Sequence, residues 1–540
     1  MKMFSLTERD MKHATNHQQS SQPIPGLGVI VMAAGLGKRM NSNYAKVLHH
    51  VAGQAMVLYA VDVALRLAEH RIAVVVGHQA DRVQQVIEAG VVGRPGAELL
   101  QIVEQAEQLG TGHAVMQSRP VFLDEHAARP TQYLILNGDT PLLKEQTARE
   151  LLRVHQSQGA TVTLLTAKLD DPTGYGRVIR RESNGPHGSV APPDVLKIVE
   201  DRDATPVERA TNEINVGTYV VSGDFLFEAL DKLEPDNAQG EFYLTDIVHM
   251  AVAQGRRVAA VTLQDPDEGL GVNTRQQLAA AEQVVRQQIR ERWLDAGVTM
   301  RDPRSVWLDA GVTIGKDSVL YPNVMLEGRT VIGEGTTIHS GVRISDCVIG
   351  NDVEVLDHCV LRESHVDDEA HLGPFVHLRP GVVVRRKAKV GNFVEMKKTE
   401  LGEGSKANHL SYLGDATIAE GVNIGAGTIT CNYDGVRKHK TVIGKNVFLG
   451  SDTQLIAPVT VGDGSVVAAG TTVTQDVPPD SLAIARVAQT NRVGWVAKRR
   501  AVLAIGVSNE RSARVDEVSK ATAKKAVPRT KKGPAKSAKR

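Results

Sequence analysis

The stretch Thr313-Ile-Gly-Lys-Asp-Ser-Val-Leu-Tyr-Pro-Asn-Val-Met-Leu-Glu-Gly-Arg-Thr-Val-Ile332 places an aliphatic residue at every sixth position. Ile314, Leu320, Leu326 and Ile332 open the series, and Ile338 and Ile344 extend it. A second unbroken series runs through Ile443, Leu449, Leu455, Val461, Val467 and Val473, with shorter series between the two. A helix repeats about every 3.6 residues and a half-buried strand simply alternates, so neither yields this period. A parallel β-helix does, because each short flat side of a coil needs one inward apolar plug. Glycine after the plug, as in Ile314-Gly315, Ile332-Gly333, Ile424-Gly425 and Ile443-Gly444, suits corners where a Cβ would clash or φ is unusual. The period predicts a hexapeptide solenoid over 297–490.

Ahead of the solenoid the pattern changes. Val29-Ile-Val-Met32 runs into Ala-Ala-Gly-Leu-Gly and reads as a buried strand entering a Gly-rich loop. Val57 to Glu69 has helical spacing. Ile72 to Val76, Tyr133 to Leu136, Thr161 to Ala167 and Ile214 to Val221 read as further strands. This alternation predicts an α/β domain with a largely parallel sheet over 26–274, its functional groups at the carboxyl ends of the strands. Leu278, Val285, Ile289 and Trp293 predict a connecting helix over 275–296. Residues 1–25 read as a polar disordered leader. Residues 491–540 read as a C-terminal segment ending in a disordered basic tail, with nine basic and no acidic residues from Lys520 to Arg540.

The 540 residues carry 63 Lys+Arg against 62 Asp+Glu, so no overall field recruits nucleic acid or a membrane surface. Cys347, Cys359 and Cys431 are the only cysteines and form no CxxC pair, which fits a reducing compartment and no structural zinc. No run of 18 apolar residues occurs, which excludes a spanning helix. A cytoplasmic location is expected.

In the first domain, Gly35 and Gly37 let backbone N–H groups approach an anion, while Lys38, Arg39 and Lys46 add positive charge. The loop is neither a Walker A motif, since Arg39 follows Lys38, nor a completed GxGxxG fingerprint. Gln105-Ala-Glu-Gln-Leu-Gly-Thr-Gly112 offers a side-chain amide and backbone donors for a nucleobase edge. Asn137-Gly-Asp139 ends a strand with a carboxylate that suits Mg²⁺ or a helix cap. In the solenoid, polar residues interrupt the period at Cys431 to Lys440, the largest insertion, and at Arg379-Pro-Gly381, Glu395 to Lys398 and His409 to Tyr412. A neutral imidazole such as His409 can take a proton from an attacking amine. A β-helix coil has no deep pocket, so a site there is best made between neighbouring copies.

The Ala-Ala-Gly-x-Gly-x-Arg-Met loop, Gln-Leu-Gly-Thr-Gly and Gly-Asp139 resemble the sugar-nucleotide pyrophosphorylase fold. With Gly174-Tyr-Gly-Arg177, Glu213-Ile-Asn-Val-Gly217, Glu241-Phe-Tyr-Leu-Thr-Asp246 and Lys406-Ala-Asn-His-Leu-Ser-Tyr-Leu-Gly-Asp415, residues 27–495 resemble one family. It is the bacterial bifunctional N-acetylglucosamine-1-phosphate uridylyltransferase/glucosamine-1-phosphate acetyltransferases. The resemblance implies a Rossmann-like nucleotidyltransferase domain followed by a left-handed parallel β-helix. It implies acetyl transfer from acetyl-CoA to glucosamine 1-phosphate, then Mg²⁺-assisted uridylyl transfer from UTP to N-acetylglucosamine 1-phosphate, in a homotrimer. Met32, Ala33, Ala34, Gly35, Lys46, Gln105, Gly110, Thr111 and Gly138 match nucleotide contacts; Gly176, Glu200 and Asn215 match sugar-phosphate contacts. Asp139 and Asn273 match the metal ligands, with Arg39 and Lys46 as charge-neutralising catalytic groups. In the second domain His409 matches the general base. Arg379, Lys397, Tyr412 and Asn423 match the sugar-phosphate side, and Ala426, Asn432, Tyr433, Ser451, Ala469 and Arg486 the acetyl-CoA side. The chain departs from the family pattern at Ala45, where Pro is usual, at Asn137, where an aromatic is frequent, and at Asn408, where Gly is common. Ala45 predicts a less rigid Lys46 loop, and Asn408 altered backbone freedom.

Two other readings stay open at this level. One is a single-activity sugar-1-phosphate nucleotidyltransferase whose β-helix is only an oligomerisation platform. The other is a non-catalytic assembly subunit, against which stand Gly35, Arg39, Lys46, Asp139 and Asn273, all intact.

Overall fold

The computed structural model describes residues 22–123, 128–181 and 195–524. Most of the expected leader and the tail beyond 524 lie outside the described residues. Residues 22–25 do not belong to a disordered leader: Ile24 bridges to Ala68, and its N–H donates to Leu67 O at 2.9 Å.

Seven strands form the first sheet: β1 (Leu27–Ala33), β2 (Ile72–Val76), β3 (Leu100–Glu104), β4 (Gln132–Asn137), β5 (Val162–Lys168), β6 (Glu213–Ser222) and β7 (Val258–Thr262). Their order is β7-β5-β6-β4-β1-β2-β3, and a hairpin of Arg177–Arg180 and Val195–Val199 extends the sheet beside β6. All adjacent pairs along that order are parallel except those made by β6, which runs antiparallel to both β4 and β5. A continuous apolar run does not encode strand direction, so the sequence pattern missed this reversal. The parallel members β1, β2, β3 and β4 all end at one edge. Helices α1 (Met56–Leu67), α2 (Ala80–Val91) and α3 (Glu145–Gln158) follow β1, β2 and β4, each burying its apolar stripe.

Helix α4 (Arg275–Asp295) carries the chain onward; Thr274 and Gln277 close its first turn as a capping box. Its Ala281, Val285 and Ile289 belong to one apolar core with Val51, Met56 and Val272 of the first domain and the plugs of the solenoid. Polar tethers reinforce this junction. Glu282 accepts from Ala52 N at 2.7 Å, Ala310 N donates to Ala52 O at 2.8 Å, and Arg286 donates to Leu308 O at 2.7 Å.

From Thr299 to Ala483 short strands stack as three parallel sheets of 11, 10 and 9 strands, the three faces of a β-helix. All twelve period-six residues are buried plugs. The four glycines after plugs keep ordinary φ values, so crowding and not conformation selects them. A Cβ on Gly315 would stand 2.5 Å from the backbone nitrogen of Glu334 in the next coil. Positive φ instead recurs at the turn from first to second face: Asn323, Gly341, His358, Phe375, Phe393, Leu410, Gly427, Asp452 and Gly470.

A C-terminal compact unit begins at Ala485 and contains one helix, α5 (Trp495–Lys524). Lys520 to Lys524 continue this helix. From Trp495 to Thr522 the helix's side chains are exposed on every side, so it lacks the single apolar stripe from which a helix is read in sequence. Among the described residues no helix is long and apolar enough to cross a membrane.

These constraints make two glycine substitutions separable. Gly315→Ala drives a Cβ into backbone and is expected to destabilise by about 3 kcal/mol. Gly404→Ala, where φ is +64° in open space, is expected to lose only about 1 kcal/mol. Urea denaturation midpoints of the two variants measure the difference.

Candidate active sites

At the carboxyl edge of the first sheet, Met32 O accepts from Gly138 N at 2.8 Å, which holds the loop after β4 against the end of β1. That brings Asp139 beside the Ala33–Gly35 turn. Gly37, at φ +60°, has no side chain where a Cβ would meet Lys46 Cβ at 2.6 Å, so the two loops close on each other. Lys46 Nζ then pairs with Asp139 Oδ2 and donates to Asn273 Oδ1 at 3.0 Å. Asn273 is held by the start of α4, its N–H donating to Gln277 Oε1 at 2.8 Å. Three residues distant in sequence meet at one point.

Two hard oxygens reaching one lysine nitrogen are a donor set that fits Mg²⁺, which takes one or two protein oxygens alongside substrate phosphates and water. Among the described residues no three His, Cys, Asp or Glu side chains are grouped to hold a metal ion. Burial raises the Tyr175 phenol; Arg39 opposes the shift and Asp139 adds to it, so both charges lie within electrostatic reach of that ring.

Gln105 is buried. Its Nε2 donates to Gly110 O at 3.1 Å and faces His113 Nδ1 at 3.0 Å, which shapes the Gly110–Thr111 turn. Thr111 Oγ1 accepts from Leu244 N at 3.1 Å. Gly176, Glu200 and Asn215 form a second cluster. Asn215 N donates to Gly176 O at 2.8 Å, and a Cβ on Gly176 would come within 3.2 Å of Glu200 Oε1. Burial first, then Asp246, Asp203 and Asp201, raise the Glu200 carboxyl, against a hydrogen bond from Thr245.

In the solenoid the acetyl-transfer candidates fall into columns. Val390, Ala407, Ile424, Leu449 and Val467 are stacked plugs of the first face. Two residues beyond each lie Asn392, His409, Ala426, Ser451 and Ala469, so these share one edge of the prism. At about 4.8 Å per coil, His409 and Ala469 are about 14 Å apart along it. Asn392 Oδ1 faces His409 Nδ1 at 3.0 Å, a contact that suits the tautomer with the hydrogen on Nδ1 and the lone pair on Nε2. Asn423, on the first face, pairs with Lys406 and Phe448.

A second column crosses the second face. Lys397 pairs with Gly414, and Arg379 precedes it, donating to Glu395 Oε1 at 2.9 Å. Tyr412 and Asn432 converge over Gly414, where a Cβ would lie 2.6 Å from both the phenol oxygen and the amide nitrogen. Asn432 donates to Asp415 Oδ2 at 2.6 Å and opens the 432–440 excursion, with Tyr433 exposed. The two columns flank the second face on opposite sides. Arg486 lies in the C-terminal unit.

The structure accounts for the three departures. Asn137 Nδ2 donates to Val216 O and Gly217 O at 3.2 and 3.1 Å, tying β4 to the irregularity in β6 beside Asn215. Asn408 has an ordinary φ inside a strand, so it does not alter backbone freedom; the glycine needed there is Gly391, whose Cβ would strike the backbone of Asn408. Ala45 uses an N–H that Pro lacks, donating to Gln79 Oε1 at 3.2 Å. Sequence reading did not select Asn392 or Gln79; the coil register would have found the first, and no local signal marks the second.

The nucleotidyl transferase family matches residues 28–312, and the bacterial transferase hexapeptide family (six repeats) matches 311–346 and 440–475. The bifunctional protein GlmU of Trichlorobacter lovleyi is 50% identical over 472 residues, covering 87% of this chain and 98% of that protein. Those of Pelobacter propionicus and Geobacter metallireducens are each 48% identical, covering 87% and 88% of this chain and 98% and 99% of their own lengths. Identity of this extent across both halves shows that the chain belongs to the GlmU family of bifunctional proteins.

Proposed function

We propose that the two activities of this GlmU-family enzyme, a uridylyltransferase and an acetyltransferase that together make UDP-N-acetylglucosamine, are divided between residues 26–274 and 297–490. The helix over 275–296 joins them. The observation that carries the first assignment is the meeting of Lys46, Asp139 and Asn273 at the carboxyl edge of the sheet. There the phosphate oxygen of N-acetylglucosamine 1-phosphate attacks the α-phosphorus of UTP and pyrophosphate leaves. The attacking group is already an anion, so the protein's work is alignment and charge neutralisation by Lys46 and Arg39. Met32 to Gly35, Gln105, Gly110, Thr111 and Gly138 frame the nucleotide; Gly176, Glu200 and Asn215 frame the sugar. Asp139 and Asn273 would hold Mg²⁺, which when bound neutralises phosphate charge.

In the second reaction the amine of glucosamine 1-phosphate attacks the thioester carbonyl of acetyl-CoA. His409 Nε2 takes the amine proton as the C–N bond forms, and CoA leaves with its sulfur. Asn392 holds the imidazole in the required tautomer. Arg379, Lys397, Tyr412 and Asn423 bind the sugar phosphate. Small Ala426, Ser451 and Ala469 leave a smooth edge for the pantetheine arm, and Asn432, Tyr433 and Arg486 complete the CoA side. Because the two columns flank opposite sides of one face, a complete site is built between copies. A homotrimer in the cytoplasm is the assembly this favours. The exposed ladder of His358, Phe375 and Phe393, with ring centroids 5.3 and 5.4 Å apart, supplies an apolar contact beside Leu410 and His409.

Incubation with glucosamine 1-phosphate, acetyl-CoA, UTP and Mg²⁺, followed by mass spectrometry, is expected to give UDP-N-acetylglucosamine, CoA and pyrophosphate. His409→Ala is expected to abolish CoA release and spare pyrophosphate release from N-acetylglucosamine 1-phosphate. Asp139→Ala is expected to do the reverse, with a loss of at least about a hundredfold. Joint loss in folded variants contradicts two separate sites.

Glu200 gives a pH prediction. Its folded-state pKa is raised, so its favourable contribution is complete below the unfolded value near pH 4 and is lost as pH rises through the folded one. Glu200→Gln is therefore expected to melt higher than the parent at pH 7, with the gap closing toward pH 4. The same variant is expected to raise KM for N-acetylglucosamine 1-phosphate. A gap that is flat with pH contradicts this.

A further inference from the structure

Gln79 follows β2 and caps α2 in a left-handed conformation, φ +57° and ψ +43°. For a residue with a Cβ this is unfavourable, and glycine would hold the turn without strain. The side chain has a use that glycine cannot supply. Its Oε1 accepts from Ala45 N at 3.2 Å, and its Nε2 donates to Asn43 O at 2.6 Å. One amide thus grips two peptide groups immediately before Lys46. The next turn of α2 adds a second hold, with the Arg82 guanidinium 4.8 Å from the centre of the Tyr44 ring. Ala45 itself is buried at φ −53° and ψ 137°, a conformation open to proline.

We infer that Gln79 is a positioning residue for uridylyl transfer: it clamps the Asn43–Ala45 segment and so fixes where the Lys46 ammonium meets Asp139. Gln79 touches no reacting atom. It acts through the backbone, as proline would by restricting φ at residue 45. Misplacement of a charge-neutralising group by a fraction of an ångström lowers turnover far more than it weakens substrate binding. The inference rests on the reading of Lys46 as part of the uridylyl site.

The test compares Gln79→Ala, Gln79→Gly, Ala45→Pro/Gln79→Ala and Lys46→Ala in the full-length protein. Pyrophosphate release and CoA release are both measured. Gln79→Ala is expected to lower kcat for uridylyl transfer about tenfold, with KM for UTP within about twofold and acetyl transfer unchanged. Gln79→Gly is expected to show the same kinetic loss although its turn is relaxed and its melting temperature is not reduced. This separates positioning from folding. Ala45→Pro is expected to restore kcat in the Gln79→Ala background to within about threefold of the parent. Parent-like kcat in Gln79→Gly, or no recovery with proline, overturns the inference. If Lys46→Ala also keeps its pyrophosphate release, the reading of Lys46 falls as well; if Lys46→Ala is crippled and Gln79→Gly is not, only the clamp falls.

Discussion

Parallel strand pairing is the constraint on which both halves of this chain depend. When neighbouring strands run the same way, equivalent positions arrive at the same edge. In the first domain this delivers the ends of β1, β2, β3 and β4 together, so Met32, Gln105 and Asp139 need not be close in sequence to share a site. In the solenoid the same rule acts coil by coil. Once the plugs stack, every exposed position two residues on becomes a column, and the spacing along it is the inter-strand distance. Asn392, His409, Ala426, Ser451 and Ala469 share one edge because Val390, Ala407, Ile424, Leu449 and Val467 stack as a core.

The junction between the halves follows from the same economy of parts. Helix α4 does more than space the halves: Asn273, just ahead of its N-cap, meets Lys46, while Ala281, Val285 and Ile289 share a core with the solenoid. The capping box of Thr274 and Gln277 thus also holds Asn273: Gln277 Oε1 accepts from Asn273 N as well as from Thr274 N. Fraying of that turn would loosen a metal-ligand candidate before it loosened any core residue. Arg286, tied to Glu282, Asp309 and Leu308 O, anchors the far side of the helix, so the N-terminal turn is held from below.

Much of this was legible in the residues, and the remainder was not for identifiable reasons. A period of six is unambiguous because neither helix nor alternating strand produces it, and every plug it named is buried. The glycines after plugs were legible as either crowding or an unusual φ, and the stacked coils, which leave no volume for a Cβ, decide for crowding. The direction of β6 was not, because burial on both faces erases the pattern that would reveal it. The division of the acetyl residues between two flanks was also hidden. It depends on which face each coil segment occupies, and phase slips between the two long series obscure that count. The roles of Gln79 and Asn137 were hidden for a different reason. A lone amide acquires meaning only from the peptide groups it reaches, and Ala45 and Val216 are far from their partners in sequence.

The turn between the first and second faces shows where folding and function pull apart. A left-handed corner favours glycine, asparagine or aspartate, and the outer coils comply with Asn323, Gly341, Gly427, Asp452 and Gly470. The central coils place Phe375, Phe393 and Leu410 there instead, exposed to solvent. Each such residue costs about 1–2 kcal/mol of backbone strain relative to glycine, and ring stacking between exposed side chains returns at most about 1 kcal/mol per pair. Within one chain the exchange is unfavourable. Burial of a Phe or Leu side chain contributes about 1.5–3 kcal/mol, enough to offset the strain at each corner, and that burial requires a surface the chain does not itself provide. The unfavourable corners cluster around His409, in the coils proposed to form a site between copies. Strain and exposed apolar surface coincide there with the proposed acetyl-transfer edge, and a second copy of the chain docked on that edge would relieve both.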